Sequence, residues 1–288
     1  MVVGFLTDDM PVRGQTLVVG METDDHLRFL VSWLPAKTLP PEKAPLAPAG
    51  GYGRRAMKQT AALAQLAARY ERDGFVILKD VLSPEECDRL KVEARRVLDE
   101  NAKPGASVHV HVTAVSPLYR GLSEDPRIVG PLTAVMPHGV MFLSDKIVYK
   151  SADKKFATPW HIDCFYWRNT RPKLSVWIPL DDALADNGTL TVVPGSHKRN
   201  WNMVKIGLPS GDFQYEINDS TWKEGDVVVC AIKRGSAIIF SDRLVHGSTT
   251  NTAGKDRFVI ISTYHAPAPD EPFDLDLPAR KVLVPAGV

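Results

Sequence analysis

Disulfide chemistry is the first thing this chain lacks. Its three cysteines, Cys87, Cys164 and Cys230, are widely spaced and include no Cys-x-x-Cys pair, so no disulfide framework or cysteine-rich zinc knuckle holds the fold, and a reducing compartment is expected. Excess charge is missing too: 35 Lys and Arg against 34 Asp and Glu leave a net charge of +1, which argues against nucleic acid or an anionic membrane as the main partner. Nothing approaches the run of roughly 18 apolar residues that spans a bilayer, and in "MVVGFLTDDMPVRG" acidic residues come before any signal-like core could form. The expected location is therefore the cytoplasm. Repeats of solenoid or propeller period are absent as well, and no pattern encodes an oligomeric state.

What is present is an ordinary globular composition, 44% hydrophobic and 24% charged, at a length of 288 residues that suits one large β-rich domain with helices. Residues 1–55 carry two strand-like patches, "QTLVVGM" and "LRFLVSW", and then a Pro- and Gly-dense stretch that reads as an extension or arm. Residues 56–288 read as a single domain. The spacing of Leu63, Leu66 and Tyr70 predicts a helix ending at Gly74. A second helix is marked by Ser83 as N-cap, Pro84 in the first position and Glu86 three residues after the cap, with Leu90, Ala94 and Val97 facing the core. Beyond about residue 137 short apolar runs recur between Gly, Pro, Asp and Asn, as in "VMFLSDKIVYK", "KLSVWIPL", "SAIIF" and "RFVIISTYH". The expected fold is mainly β with flanking helices, a sandwich or jelly roll.

The chemistry starts at "PWHIDCFYW", residues 159 to 167. On a strand, His161 and Asp163 would project to one face, and an imidazole with a carboxylate is two-thirds of the facial triad that holds non-haem Fe(II) with positions left open. Eight histidines among 34 acidic residues produce about one such match by chance, so the motif needs support. "VHGSTTNTAGKDR" supplies it: His246 is available as a third ligand, and Arg257 follows eleven residues on. If their strands are neighbours joined by the polar turn, both residues face one cavity. A guanidinium holds a carboxylate in a bidentate fork, and Ser248, two residues after His246, can donate to the same carboxylate.

Three linked features, "WHIDCFYW", "LSVWIPLDDALADNGTLTVVPGSHK" and "VHGSTTNTAGKDR", make residues 70 to 265 resemble the phytanoyl-CoA dioxygenase-like branch of the Fe(II)/2-oxoglutarate-dependent oxygenases, which includes ectoine hydroxylase. The resemblance implies a double-stranded β-helix of the cupin-like, jelly-roll type. It implies Fe(II) on His161, Asp163 and His246, and 2-oxoglutarate held by Arg257 and Ser248; Trp177, in "LSVWIPL", is expected to face inward near the cosubstrate. It also implies use of O2, with ascorbate as a reductant, to oxidise a C–H bond of a small-molecule substrate while 2-oxoglutarate becomes succinate and CO2. Relatives that halogenate replace the carboxylate with a small residue, so Asp163 favours hydroxylation, and a substrate from specialised metabolism is the expectation.

Trp160, Phe165, Trp167 and Trp201 are candidates for the substrate wall, with strand alternation favouring Phe165. The loop after "VPGSHK", bearing Trp201, Phe213 and Tyr215, is a candidate lid. His109 and His111 in "VHVHV" share a strand face in this reading and border the site rather than bind a second metal. Lys150 reads as a solvated strand-end lysine. Two other functions remain open from sequence: a metal-dependent cupin-type enzyme that does not use 2-oxoglutarate, and a non-catalytic binding barrel.

Overall fold

The computed structural model describes residues 17–18, 52–103, 106–167, 170–206, 215–218, 221–268 and 277–286. The "LRFLVSW" patch, most of the Pro/Gly-rich stretch and Phe213 lie outside the described residues. In chain order the strands are β1 (Leu17–Val18), β2 (Phe75–Leu78), β3 (Val108–Val110), β4 (Val140–Lys150), β5 (Thr158–His161), β6 (Lys173–Pro179) and β7 (Leu190–Val192), followed by β8 (Met203–Lys205), β9 (Tyr215–Ile217), β10 (Val228–Val229), β11 (Ala237–Ser241), β12 (His246–Ser248), β13 (Arg257–His265) and β14 (Lys281–Val284). The helices are α1 (Tyr52–Asp73), α2 (Pro84–Asn101), α3 (Val112–Val115), α4 (Pro117–Ser123) and α5 (Pro126–Val135).

Two sheets form the sandwich. The larger runs β14-β4-β13-β6-β11-β2, with β3 also paired to β4, and the smaller runs β1-β10-β7-β12-β5. In the larger sheet every residue of β6 and β11 is buried, as expected of strands covered on both faces. Alternate residues serve two cores: Val176, Ile178, Ile239 and Ile260 pack with Leu90, Ala94, Val97 and Leu132 of the helices, while Trp177, Ile238, Phe240 and Ile261 pack with Leu190 and Val192 of the smaller sheet. This period-two division is why runs such as "SAIIF" carry no polar alternation.

The helix signals act as read. Ser83 Oγ accepts from Glu86 N (3.2 Å), and Glu86 Oε2 accepts from Ser83 N (2.7 Å), closing a capping box that leaves Cys87, Leu90, Ala94 and Val97 buried. α1 ends before Gly74, whose N–H donates to Tyr70 O (2.7 Å).

One expectation is corrected. β12 and β13 are not neighbours: His246 pairs within the smaller sheet and Arg257, opposite Lys150, within the larger. The polar turn between them crosses from one sheet to the other, so the two residues face each other across the interior instead of lying side by side. The stretch after "VPGSHK" also carries more structure than expected, a two-stranded ribbon of β8 and β9.

Candidate metal centre and cavity

Strand pairing assembles the centre. His161, the last residue of β5, stands directly opposite His246 of β12, with ring centroids 4.1 Å apart. Gly247 is needed beside it, because a Cβ there would come within 2.8 Å of Thr158 O on the facing strand. Asp163 does not extend the strand. The chain winds into a 3₁₀ turn at Asp163–Tyr166, which brings the carboxylate back toward the imidazoles: Oδ1 lies 3.5 Å from His161 Nε2 and 3.8 Å from His246 Nε2. All three residues are buried, and their ligand atoms lie within 4.8 Å of one another.

Each imidazole is oriented by its other nitrogen. His161 Nδ1 donates to Pro159 O (2.8 Å) and His246 Nδ1 to Leu244 O (2.9 Å); a carbonyl can only accept, so both Nε2 lone pairs are turned inward. Burial opposes charge on Asp163, but positive charge around it, on Lys146 and on the imidazoles whenever one carries a proton, outweighs burial and holds the carboxyl below the usual range. Burial also pushes the His246 imidazole down to about 3. A carboxylate beside a neutral His246 is thus ready to ligate without first losing a proton. Ser175 Oγ donates to the second carboxylate oxygen (3.3 Å). Two nitrogens and one carboxylate oxygen, open toward a cavity, suit a non-haem Fe(II) ion.

The cavity is about 370 Å³ and is lined by His161, Asp163, His246, Trp177, Ser248 and Arg257, among others. Arg257 is 1% exposed, and its guanidinium makes no hydrogen bond or ion pair among the described residues, Nε being buried without a partner. Burial brings it down to about 9, so it stays charged near neutrality, 5.7 Å over the Trp177 ring. A buried cation left unpaired is costly; an anion entering the cavity would satisfy it. The donor set and this cation therefore fit Fe(II) and a dicarboxylate such as 2-oxoglutarate.

Lys150 is not solvated. It is fully buried, opposite Arg257 in the β4–β13 register, and burial, with the Arg257 charge beside it, pushes its ammonium down to about 6. Its Nζ donates to Ser248 Oγ (2.8 Å) and Thr249 O (2.6 Å), two acceptors for the two N–H bonds of a neutral amine. Gly188 makes room for it: φ there is +91°, and a Cβ would meet the Lys150 stem at 2.6 Å. Ser248 Oγ also accepts from Thr158 N (3.3 Å) and donates to Thr158 Oγ1 (2.8 Å). Its one hydrogen is thereby used, and the Thr158 hydroxyl becomes the donor that faces the cavity.

The aromatic candidates separate. Trp167 lines the cavity, together with Tyr166. Phe165 turns away to pack, tilted, against Tyr215 (4.7 Å), because alternation ends where the 3₁₀ turn begins. Trp160 and Trp201 pack on Trp222 (5.7 and 5.3 Å), outside the cavity. His109 and His111 do not share a face: His111 lines the cavity and His109 does not. Sequence reasoning placed His111 at the border of the site, as found, but missed Thr158, Ser144 and Lys146 and read the buried Lys150 as solvated. For β4 a signal existed, since polar side chains at 144, 146 and 150 share one face of an otherwise apolar strand.

Residues 70–259 match the family model described as Phytanoyl-CoA dioxygenase (PhyH). Ectoine dioxygenase of Bordetella bronchiseptica is 25% identical over 228 residues, 68% of this chain and 73% of that protein. L-proline trans-4-hydroxylase of Streptomyces griseoviridis is 24% identical over 239 residues, 73% and 88% respectively. Among solved structures, the epimerase SnoN in complex with Fe3+, alpha ketoglutarate and nogalamycin RO superposes with a TM-score of 0.59 at 23% identity, over 79% of this chain and 97% of that one. EctD from S. alaskensis with 2-oxoglutarate and 5-hydroxyectoine gives 0.58 at 24%, over 70% and 76%. These likenesses identify the sandwich as the cupin-like jelly roll. With two-thirds of its length matched by the family model, the chain belongs to the phytanoyl-CoA dioxygenase (PhyH) family and is a non-haem iron, 2-oxoglutarate-dependent dioxygenase.

Proposed function

We propose that the protein hydroxylates an unactivated C–H bond of a small molecule, with Fe(II) held by His161, Asp163 and His246. The far carboxylate of 2-oxoglutarate is taken by Arg257, with the Thr158 hydroxyl, held in place by Ser248, completing the anchor and Trp177 flanking it. The observation that carries this reading is the convergence, in one cavity, of three ligand atoms within 4.8 Å of each other and a buried guanidinium whose Nε has no hydrogen-bond partner. Bound iron with 2-oxoglutarate supplies C–H oxidation by O2, the diacid leaving as succinate and CO2.

The chain's own groups do the rest. His161 and His246 are locked in the ligating tautomer by backbone carbonyls, so no reorganisation accompanies metal binding. Arg257 fixes one end of the cosubstrate, which sets the orientation of the other. Trp177, Phe240 and Ile261 give the interior an apolar lining that excludes water from the reacting centre. Tyr166 and Trp167 wall the substrate side. The proposal extends to a cytoplasmic enzyme of specialised metabolism, with residues 56–288 acting as one oxygenase domain and residues 1–55 as an added arm.

The test is a screen of small-molecule metabolites scored by succinate release and by product mass. A product heavier than substrate by one oxygen, formed in step with succinate, is the expected result. A product of unchanged mass, or oxidation that does not depend on 2-oxoglutarate, would contradict it.

A further inference from the structure

The cavity has a second polar end. In the β4–β13 register Lys150 faces Arg257, Lys146 faces Ile261 and Ser144 faces Thr263. At a rise of roughly 3.3 Å per residue, Ser144 lies about 20 Å along the strand from Lys150. A five-carbon diacid spans only about 5 Å between its terminal carbons, so cosubstrate anchored at Arg257 leaves the polar groups at the Ser144 end to another molecule.

Those groups are arranged with some effort. Along β3, Val108 and Val110 line the cavity, and continued alternation would turn His111 away from it. Instead His111 adopts φ +61°, ψ +40°, a left-handed conformation rare for a residue with a side chain. Its ring thereby joins the cavity wall, with Nδ1 3.2 Å from Ser144 Oγ. Asp145 holds this turn: its carbonyl accepts from His111 N (2.8 Å), and Oδ1 accepts from Thr113 N and Thr113 Oγ1 (3.1 and 3.2 Å). A strained backbone held by a buried carboxylate beside a cavity points to function. Lys146, half-buried on the same wall, has no hydrogen bond or ion pair among the described residues. Its charge reaches Asp163 and His246 at the inner end of the cavity, and Asp145, whose Oδ1 is committed to Thr113 and whose Oδ2 is buried without a hydrogen bond, borders the same wall.

We infer that this end is a subsite for an anionic group of the substrate, a carboxylate bound by the Lys146 ammonium and by His111 Nε2, with Ser144 fixing the imidazole. Val110, Val148, Tyr166 and Trp167 line the same cavity, so the substrate is a small organic acid with an apolar body. The carbon oxidised lies between its carboxylate and the metal side chains. This rests on the iron and 2-oxoglutarate reading above.

The test uses full-length protein loaded with Ni(II) and saturating 2-oxoglutarate, so that nothing turns over. Binding of a set of aliphatic and aromatic monocarboxylic acids, each paired with its primary amide, is followed by ligand-observed NMR. Acids should bind and their amides should bind about tenfold or more weakly. Lys146→Met should weaken the acids by about tenfold while 2-oxoglutarate affinity stays within about threefold, and Lys146→Arg should restore most of the loss. Equal binding of acids and amides would overturn the inference, as would no binding of any acid to protein that holds 2-oxoglutarate. So would a Lys146→Met variant that loses 2-oxoglutarate and keeps the acids, since the lysine would then serve the cosubstrate. If Ni(II) and 2-oxoglutarate themselves fail to bind, the metal-site reading fails and takes the subsite with it.

Discussion

The two sheets that enclose the cavity are built differently. In the larger sheet, β4 and β13 are 11 and 9 residues long, and they and β6 carry apolar side chains to a core on each face. The strands of the smaller sheet run two to four residues, yet β5 and β12 hold both histidines, and the turn after β5 holds the carboxylate. A long double-sided sheet gains stability from burial; short strands leave their ends free to present ligands. The two sheets meet at Arg257, which the larger sheet contributes to the same cavity, and at Lys150, buried behind it with its Nζ on Ser248 and Thr249 of the smaller sheet's side.

This contrast can be broken by substitution. Asp163→Ala or His246→Ala in the smaller sheet should lower succinate formation by about a thousandfold or more, while the thermal midpoint of the metal-free protein changes little, because the residues removed contribute ligation and not packing. Ile260→Ala in the larger sheet should do the reverse. It deletes a buried side chain facing the helices and should cost about 3 kcal/mol in denaturant unfolding, with Fe(II) affinity retained in the folded fraction. Loss of iron binding by that variant, or a large stability loss in Asp163→Ala, would blur the division.

Where the sheets meet, effects should be intermediate. Arg257→Met should weaken 2-oxoglutarate by about a hundredfold in calorimetry, without loss of metal. Lys150 gives a pH signature. Its folded value of about 6 lies below that of an ordinary lysine, and a carboxylate arriving beside it favours the charged form. Above about pH 6 binding therefore takes up a proton, and 2-oxoglutarate affinity should fall as pH rises, by up to about tenfold per unit. Lys150→Met should flatten that slope. The smallest effect is expected far from the site: Ser83→Ala opens the α2 capping box and should cost about 1 kcal/mol, with turnover unchanged.

Much of the larger sheet was legible because its signals are local. Runs such as "SAIIF" and the Ser83–Glu86 box name their structure within a few residues. The candidate metal ligands were legible for another reason, since His161, Asp163 and His246 are chemically distinctive and their strands are anchored by flanking apolar residues. What escaped was direction. Alternation assigned Phe165 to the cavity, but the turn at Asp163 changed the period and delivered Tyr166 and Trp167 in its place. Proximity in sequence made His246 and Arg257 sheet neighbours, whereas the intervening segment carries the chain to the opposite sheet. The left-handed turn at His111 had no local mark, because histidine lacks the glycine signature of that conformation; what holds it is Asp145, 34 residues away. Lys150 resembled any strand-end lysine until Gly188 and Ser248 were seen around it.

The central claim is that one cavity binds iron on the smaller sheet and 2-oxoglutarate on the larger. Anaerobic addition of Fe(II) and then 2-oxoglutarate tests it most directly, by the weak visible metal-to-ligand charge-transfer absorption of the chelate. The expected result is a band in the wild type that is absent in Asp163→Ala and appears only at much higher 2-oxoglutarate in Arg257→Met. No band in folded wild-type protein, or a band of equal strength and affinity in both variants, would contradict it.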